Sequence, residues 1–290
     1  MMAWMLSFSA YSALNIVTYN IRNFDSKGDQ TNKAALSKIL SDLNFDILQV
    51  EEIVNTHSFR NYINSEFPGY NVVLSKCGGG GQQKIGFVYN PAKVVLHKYY
   101  EDKRVSDPGV VIGDFGCGRL RPALVGMFEE RKTAKKFVVI GVHLKAGGSE
   151  RSFQKRFKQY EILGQMLDEL KLANHHDIIV LGDFNTTGFN IRNRDYVKFT
   201  EMLGDAKFET TGDDVQCTSY WSGLNRHDNI EESSLLDHII FPKNLLGYSK
   251  LSVQTASHCK KVKCRDASVR DLGISYSQVS DHCPILARFE

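Results

Sequence analysis

The stretch "IIVLGDFNTTG", residues 178–188, leads from an apolar run directly into an acid and an amide. The run 178–181 predicts a buried β-strand, because short apolar runs bounded by glycine are typical of strands. Asp183 and Asn185 stand two positions apart, and strand alternation would turn both side chains to the same side. An Asx turn after the strand is the alternative, since Asp and Asn are common in turns. The other strands of the chain decide between a plain turn and a site.

Further stretches combine an apolar strand with polar residues in the same way. Taken singly, each polar residue fits a loop cap or a satisfied core side chain. Together the polar residues fit these explanations poorly, because a buried ionised carboxylate is costly without a cation or a hydrogen-bond donor. We therefore expect these residues to form one site. The stretches are "TYNIRNF" with Asn20, "DILQVEEI" with Glu51 and Glu52, "GVHLKAGG" with His143 and Lys145, "LLDHIIF" with Asp237 and His238, and "VSDHCPILARF" with Asp281 and His282.

The expected site is rich in oxygen ligands and contains two histidines. Carboxylate and amide oxygens suit hard divalent cations such as Mg²⁺, Ca²⁺ or Mn²⁺, and no thiolate cluster indicates zinc. His143 and His282 are able to donate protons to developing charge. This combination fits in-line attack of water on a phosphodiester. The sequence lacks a Walker loop, a dinucleotide-binding glycine pattern and a Gly-x-Ser-x-Gly motif. The oxygen ligands are Asn20, Glu52, Asp183, Asn185, Asp237 and Asp281.

The distribution of apolar residues predicts an α/β fold. Short runs rich in β-branched and aromatic residues recur along the chain, whereas only two strongly amphipathic helices stand out, around 36–43 and 157–170. Many strands with few helices favour two packed sheets covered by helices over a doubly wound parallel sheet. We expect one domain over residues 14–290, preceded by a leader or extension over residues 1–13.

The amino-acid composition is ordinary for a globular protein, so it excludes few functional classes. The chain has 290 residues, 42% of them hydrophobic and 24% charged, with a net charge of +3, so overall charge alone does not argue for nucleic acid. Two stretches are locally basic, 151–159 and 258–270. They fit either solvated faces or surfaces that bind a polyanion. No run is long enough for a transmembrane helix.

The six cysteines are compatible with disulfides without requiring them. We expect the pairs Cys77–Cys117 and Cys259–Cys264 as the ones to test, and Cys283 as a buried free thiol. A zinc site that includes His258 is not expected, because the spacing lacks a second matching pair.

The ordered series of these motifs resembles the endonuclease/exonuclease/phosphatase superfamily of deoxyribonuclease I-like proteins. The series includes "TYNIR", "ILQVEEI", "KIGFVYNP", "RPALV", "GVHLKAGG", "VLGDFN", "LLDHIIF" and "SDHCPI". The resemblance runs from about residue 14 to residue 290. It implies a four-layer α/β sandwich, with two mainly antiparallel sheets packed face to face and helices outside. It also implies metal-dependent hydrolysis of phosphate esters, with Mg²⁺, Ca²⁺ or Mn²⁺.

The resemblance also implies a role for each residue of the site. Glu52, six residues after Asp46, corresponds to the family's metal-binding Glu. Glu51 stands where Gln is common, which leaves the two neighbours open at this stage. The implied catalytic residues are His143, Asp183, Asp237 and His282; the substrate-binding residues are Asn20, Arg121, Lys145 and Asn185; and the metal ligands are Glu52, Asn20 and Asp281.

One position departs from the family pattern. A family Glu that pairs with the histidine at the His143 position corresponds here to Gln83. A Gln carbonyl accepts a hydrogen bond from imidazole but does not stabilise imidazolium by charge. The hypothesis is that His143 acts mainly as a neutral donor to the phosphate.

The fold does not decide the substrate. The motifs favour a nuclease that hydrolyses DNA, or RNA, with little sequence specificity, and look closest to bacterial secreted or periplasmic nucleases. The alternatives are a sphingomyelinase-like or phosphoinositide phosphatase-like lipid phosphoesterase and an inactive protein that binds nucleic acid. We expect a monomer without stable membrane association that is secreted or periplasmic, with a cytoplasmic location as the alternative.

Overall fold

The computed structural model describes residues 13–28, 30–109, 116–223 and 228–290. The expected leader or extension therefore lies almost entirely outside the described residues. The strands are β1 Leu14–Phe24, β2 Ile47–Ile53, β3 Asn71–Leu74, β4 Lys84–Tyr89, β5 Val94–Asp102, β6 Ala123–Glu130, β7 Lys136–His143, β8 Ile178–Asp183, β9 Phe208–Thr210, β10 Ser219–Trp221, β11 Ile230–Ser234, β12 Asp237–Pro242, β13 Leu251–Thr255, β14 Ala267–Ser268 and β15 Ile285–Phe289. The helices are α1 Lys33–Leu43, α2 Thr56–Glu66, α3 Glu150–Leu172, α4 Arg194–Ala206, α5 Ser257–Val262, α6 Val269–Leu272 and α7 Ile274–Ser277.

Two six-stranded sheets form the centre of the molecule. The first has the order β13-β15-β1-β2-β4-β3 and the second the order β5-β6-β7-β8-β12-β9. In each sheet one pair is parallel, β1–β2 in the first and β7–β8 in the second, and the other pairs are antiparallel. A helix, α1 or α3, connects each parallel pair, as such a crossover requires. The predicted pair of mainly antiparallel sheets is confirmed.

Three hydrophobic clusters separate the four layers. The central one contains Phe87, Phe128 and Ile179, which come from the facing sheets. A second packs α1 and α2 on the first sheet, and a third packs α3 and α4 on the second. The layer order is therefore helices, sheet, sheet, helices, as the resemblance implied. The amphipathic periodicity predicted α1 and α3 correctly but missed α2 and α4.

A small third sheet was not predicted from the sequence. It has the order β10-β11-β14 and packs beside the buried cluster that contains Cys217, Cys259 and Cys283. Its strands are only two to five residues long, which gives too little periodicity for a pattern to be recognised.

The structure pairs all six cysteines. The predicted pair Cys77–Cys117 is confirmed. The expected pair Cys259–Cys264 and the free thiol at Cys283 are wrong, because Cys259 bonds to Cys283 and Cys264 bonds to Cys217. The tertiary fold brings segments that are 24 and 47 residues apart in the sequence to bonding distance. Spacing along the chain does not report that approach.

Among the helices of the described part of the chain, none is both long and apolar enough to cross a membrane.

Candidate active site

Strand register in the second sheet brings three of the predicted residues side by side. His143 at the end of β7 pairs with Asp183 at the end of β8, and Asp183 pairs across the sheet with Asp237 at the start of β12. Side chains of paired residues lie on the same face of a sheet. Asp183, the acid in "IIVLGDFNTTG", thus lies between Asp237 and His143 from its two neighbouring strands.

Asn20 connects this row to the first sheet. Its Nδ2 donates to Asp183 Oδ2 at 3.2 Å and to Glu52 Oε1 at 3.3 Å. It is buried and lies within β1, not after the strand end as the sequence indicated. The amide therefore holds carboxylates from the two sheets close together.

A local irregularity in β2 separates the roles of Glu51 and Glu52. The β2–β4 register shifts between Val50 and Ile53, and Glu52 adopts a left-handed φ of 59°, a conformation that is rare for residues other than Gly, Asn and Asp. Glu52 is partly exposed at the site, whereas Glu51 is fully buried below it and accepts a hydrogen bond from Asp183 N at 3.0 Å. Glu52 is thus the residue of the two that faces the site.

His282 and Asp237 form a hydrogen-bonded pair. The His282 Nδ1 to Asp237 Oδ2 distance is 2.8 Å, and His282 Nε2 lies 4.0 Å from Asp183 Oδ2. Burial lowers the pKa of His282, but the charge and hydrogen bond of Asp237, with the charge of Asp183, raise it well above its ordinary value. The imidazole is therefore held in one orientation with Nε2 towards the site, and its protonated form is favoured.

Two buried hydroxyl side chains fix this pair in place. Thr218 Oγ1 accepts from Asp237 N at 3.0 Å, and its carbonyl accepts from Cys283 N at 2.7 Å. Ser280 Oγ donates to Asn20 O at 2.6 Å and accepts from His282 N at 3.0 Å. Sequence reasoning missed both residues, because a single Thr or Ser carries no recognisable spacing.

The surroundings of His143 favour its neutral form. Its Nε2 lies 3.4 Å from Asp183 Oδ2 and 3.7 Å from Glu52 Oε1, whereas no described residue forms a hydrogen bond to Nδ1. An orphaned buried N–H is rarer than an orphaned acceptor, so the proton belongs on Nε2. Burial, and after it the charge of Arg121, lowers the pKa of His143 well below its ordinary value.

The expected partnership between Gln83 and His143 is wrong. Gln83 Nε2 instead donates to Asn23 Oδ1 at 2.9 Å. The neutral state that the hypothesis assigned to His143 agrees with the direction of its pKa shift. Its cause is burial and neighbouring positive charge, not the Gln carbonyl.

The turn after β8 also contributes to the site. Asn185 N donates to Asp183 Oδ1 at 2.8 Å, and Asn185 has a left-handed φ of 52°. Asn185 Nδ2 and Arg121 Nη2 both donate to Leu144 O, at 3.3 and 2.7 Å. The Asx turn that the sequence offered for "DFN" is therefore confirmed, and this turn places Asp183 and Asn185 next to each other. Strand alternation is not the reason that they meet, since β8 ends at Asp183.

The surroundings of Asp183 shift the pKa of its carboxyl group strongly. Burial, opposed by the charge of His282 and reinforced by that of Asp237, raises its pKa to about 7. A cation bound beside this carboxylate would lower its pKa, because an opposite charge favours the charged form.

The donor set fits a divalent cation. Asp183 and Asp237 place carboxylate oxygens within 4.8 Å of each other, and Asn20 donates to both Asp183 and Glu52. Asp237 Oδ1 is buried without a hydrogen-bond donor in the described structure. Oxygen ligands of this kind are those that Mg²⁺, Ca²⁺ and Mn²⁺ prefer.

Two predicted residues lie at the edge of this arrangement. Asp281 is partly buried beside His282, and no contact joins its carboxylate to Glu52 or Asn20 within the described residues. Lys145 is partly buried, and its ammonium donates to Ala146 O at 2.5 Å. The structure thus brings Asn20, Glu52, Arg121, His143, Asp183, Asn185, Asp237 and His282 together, with Asp281 and Lys145 at the margin.

Comparisons with known proteins agree with this geometry. A sequence model of the Endonuclease/Exonuclease/phosphatase family matches residues 17–282. The search of curated proteins finds no match. Solved structures share the fold at low sequence identity. TDP2 of D. rerio, complexed with a single-strand DNA product, has a TM-score of 0.65 at 16% identity, covering 96% of this chain and 99% of that one.

Two further structures show the range of activities on this fold. The human Nocturnin catalytic domain with a bound sulfate anion has a TM-score of 0.66 at 14% identity, covering 96% of this chain and 94% of that one. A mannosyl-6-phosphatase of Bacteroides thetaiotaomicron has a TM-score of 0.63 at 17% identity, covering 96% and 99%. Members of the family hydrolyse phosphoester bonds and typically use a divalent metal. On the match over residues 17–282 and the shared fold, this chain belongs to the Endonuclease/Exonuclease/phosphatase family.

Proposed function

We propose that the protein is a divalent-metal-dependent phosphodiesterase that hydrolyses nucleic acid, with DNA as the favoured substrate and Mg²⁺ as the favoured ion. The observation that carries the proposal is the convergence of Glu52, Asp183 and the Asp237–His282 pair at the ends of strands from both sheets. This convergence places carboxylates and proton-donating side chains in one site. The single-strand DNA product in the TDP2 structure supports a nucleic acid by analogy of fold.

Each side chain has a task in hydrolysis that its setting supports. Asp183, whose carboxylate accepts from Asn20 and lies close to His143 and His282, is suited to orient the attacking water. His282, held by Asp237, is suited to stabilise the phosphorane-like transition state and to transfer a proton. Neutral His143 donates from Nε2 to a phosphate oxygen. Glu52, Asn20 and Asp183 are the residues that would hold the cation, which supplies charge neutralisation when bound.

The first experiment measures phosphate release and strand cleavage with Mg²⁺, Ca²⁺, Mn²⁺ or EDTA. The substrates are plasmid DNA, RNA, sphingomyelin and mannose 6-phosphate. We expect cleavage of DNA, slower or comparable cleavage of RNA, and loss of activity with EDTA. Cleavage of sphingomyelin or of the monoester alone would contradict the proposal, as would no cleavage of any nucleic acid with any metal.

The second experiment tests the paired histidine. His282→Ala and Asp237→Asn are each expected to lower kcat by a factor of about 10²–10⁴, because each removes proton transfer or its orientation. The control is His57→Gln on the exposed face of α2, which should keep full activity. Circular dichroism and the thermal transition establish that the variants fold. An active His282→Ala enzyme would refute the assigned role.

We also propose that the protein works in an oxidising compartment, in line with the expected secreted or periplasmic location. All six cysteines are paired in the structure, and structural disulfides persist mainly outside reducing compartments. Labelling of the unreduced, denatured protein with iodoacetamide tests this directly. No label is expected on protein isolated from its native source, and full labelling would contradict the proposal.

A further inference from the structure

One face of helix α3, beside the site, carries cations without acidic partners. Arg151, Lys155 and Lys158 stand at positions i, i+4 and i+7 and therefore share a face. None of them forms an ion pair within the described part of the chain, whereas other surface cations are paired, as Arg194 is with Glu150 and Lys198 with Glu201. The surface thus keeps positive charge that the protein itself does not neutralise.

These side chains line a groove together with another arginine, Arg119. The groove has a volume of about 270 Å³, and Ser106 and Asp107 also line it. Arg119 is exposed and, within the described structure, has no acidic partner. We call Arg119, Arg151, Lys155 and Lys158 the basic groove. Four cations and one acid, Asp107, therefore line the same groove, which gives it a net positive charge.

The chain leads directly from the basic groove to the active site, because Leu120 lines the groove and Arg121 follows it. Arg119 precedes Arg121 by two residues, and Arg121 reaches Leu144 O beside the catalytic row. Burial, and after it the charges of Arg121, Arg156 and Lys155, lowers the pKa of Lys145. These charges are therefore close to one another, and they connect the site to the helix face.

Resting on the proposed function, we propose that the basic groove binds the phosphates that flank the scissile one, so that the enzyme holds a polynucleotide over several nucleotides. Unpaired like charges repel one another, and a polyanion relieves that repulsion and releases counterions. From Arg151 to Lys158 the helix rises about 10 Å, which is about three steps of 3.4 Å along one strand of B-DNA. A groove fits a strand better than it fits the flat surface of a bilayer.

The binding test uses the inactive variant His282→Ala, so that the substrate stays intact. Fluorescence anisotropy measures its affinity for a labelled 12-nucleotide single strand between 50 and 300 mM salt. Adding Lys155→Gln and Lys158→Gln should weaken binding at least tenfold at the lowest salt. It should also reduce the slope of log affinity against log salt by about 1.4, that is, by about 0.7 for each lost phosphate contact.

The matched control removes two charges elsewhere. Lys38→Gln and Lys136→Gln change the net charge equally, but Lys38 lies on α1 and Lys136 lies at the opposite end of β7 from His143, about 23 Å away. This control should bind like the parent. An equal loss of affinity in both double variants, or an unchanged salt slope in the Lys155 and Lys158 variant, would overturn the proposal.

Two further measurements separate the proposal from its alternatives. In the active enzyme, the Lys155 and Lys158 variant should lose at least tenfold more kcat/KM for the 12-nucleotide strand than for the dinucleotide TpT. Vesicles of phosphatidylcholine and phosphatidylglycerol test a membrane instead, and lysine-dependent binding to vesicles with unchanged binding to the strand would overturn the proposal. Lysine-dependent binding of the strand without cleavage by the wild type would contradict only the proposed function.

Discussion

Asp183 joins more of the site than any other single residue described above. Its Oδ2 accepts from Asn20, lies 3.4 Å from His143 and 4.0 Å from His282, while its Oδ1 accepts from Asn185 N. Its own backbone N–H donates to Glu51 beneath the site. Both carboxylate oxygens of Asp183 are engaged, so a small movement of a neighbouring strand would change the contacts of this carboxylate.

His238, the neighbour of Asp237, has a structural role that predicts acid sensitivity. It is fully buried among Phe184, Phe189 and Phe199, and burial lowers its pKa to about 3. The folded state therefore binds fewer protons than the unfolded state below the unfolded pKa of about 6.5. Stability from this residue is present above about pH 6.5 and is lost as the pH falls towards 3, by about 1.4 kcal/mol per pH unit.

Replacing this histidine by a ring that does not titrate should remove the effect. In His238→Phe the slope of the free energy of unfolding against pH is expected to fall by about 1.4 kcal/mol per unit between pH 6 and pH 3. Thr210 keeps a hydrogen bond, because its Oγ1 also accepts from Gly212 N. Urea denaturation at a series of pH values measures the slope. The same slope in both proteins would show that His238 is not the group that titrates.

At the scale of elements, helix α3 is tied to the loops of the site by a buried ion pair. Arg156 and Asp195 are both fully buried and are joined at 2.7 Å. Arg156 also donates to the carbonyls of Lys145 and Gly147, and Asp195 accepts from Thr187 N at 2.9 Å. The pair therefore fixes both the loop after His143 and the turn after Asn185. The basic run 151–159 is thus only partly a solvated face, since its arginine at 156 lies inside the protein.

Breaking this pair should be costly. Arg156→Met leaves Asp195 buried without its partner, and the expected loss is about 3–5 kcal/mol of unfolding free energy. The control is Arg104→Met, whose partners Asp102 and Glu169 lie nearer the surface, with an expected loss of about 1 kcal/mol or less. Urea denaturation compares the two variants. Equal losses would mean that burial of the Arg156 pair does not matter.

At the scale of the whole molecule, disulfides brace the loops that carry the site. Cys259–Cys283 fixes the residue directly after His282, and Cys217–Cys264 fixes the residue directly before Thr218. Cys77–Cys117 connects the β3–β4 turn to the segment that leads to Arg121. The covalent cross-links thus lie where irregular backbone, not a sheet, positions the side chains.

Removal of each disulfide should lower stability by a similar amount. The loops close over 24 to 47 residues, so that the chain-entropy relation gives a loss of about 3.5–4 kcal/mol for each paired Cys→Ala variant. In the Cys259→Ala, Cys283→Ala variant, kcat should fall as well, since the His282 segment loses its brace. Thermal unfolding and the nuclease assay measure the two effects. A variant that keeps the wild-type stability would contradict the structural role of that disulfide.

The sequence by itself determined the fold class and predicted most of the residues that the structure brings together. Apolar strands that end in Asp183 and His143, or begin with Asp237, were recognisable because strands have a simple period and buried carboxylates are costly. The basic run on α3 was also recognisable as charge. These features depend on residues that are close together in the sequence.

Only the tertiary structure decided how distant segments meet. The cysteine pairing, the choice of Glu52 over Glu51 and the burial of Arg156 follow from contacts between segments far apart in the chain and from a left-handed backbone at Glu52. Local sequence patterns do not report such contacts, because the two partners lie on elements that are far apart in the sequence. The sequence therefore identified the candidate chemical groups, and the packing of the two sheets determines which of them share one site.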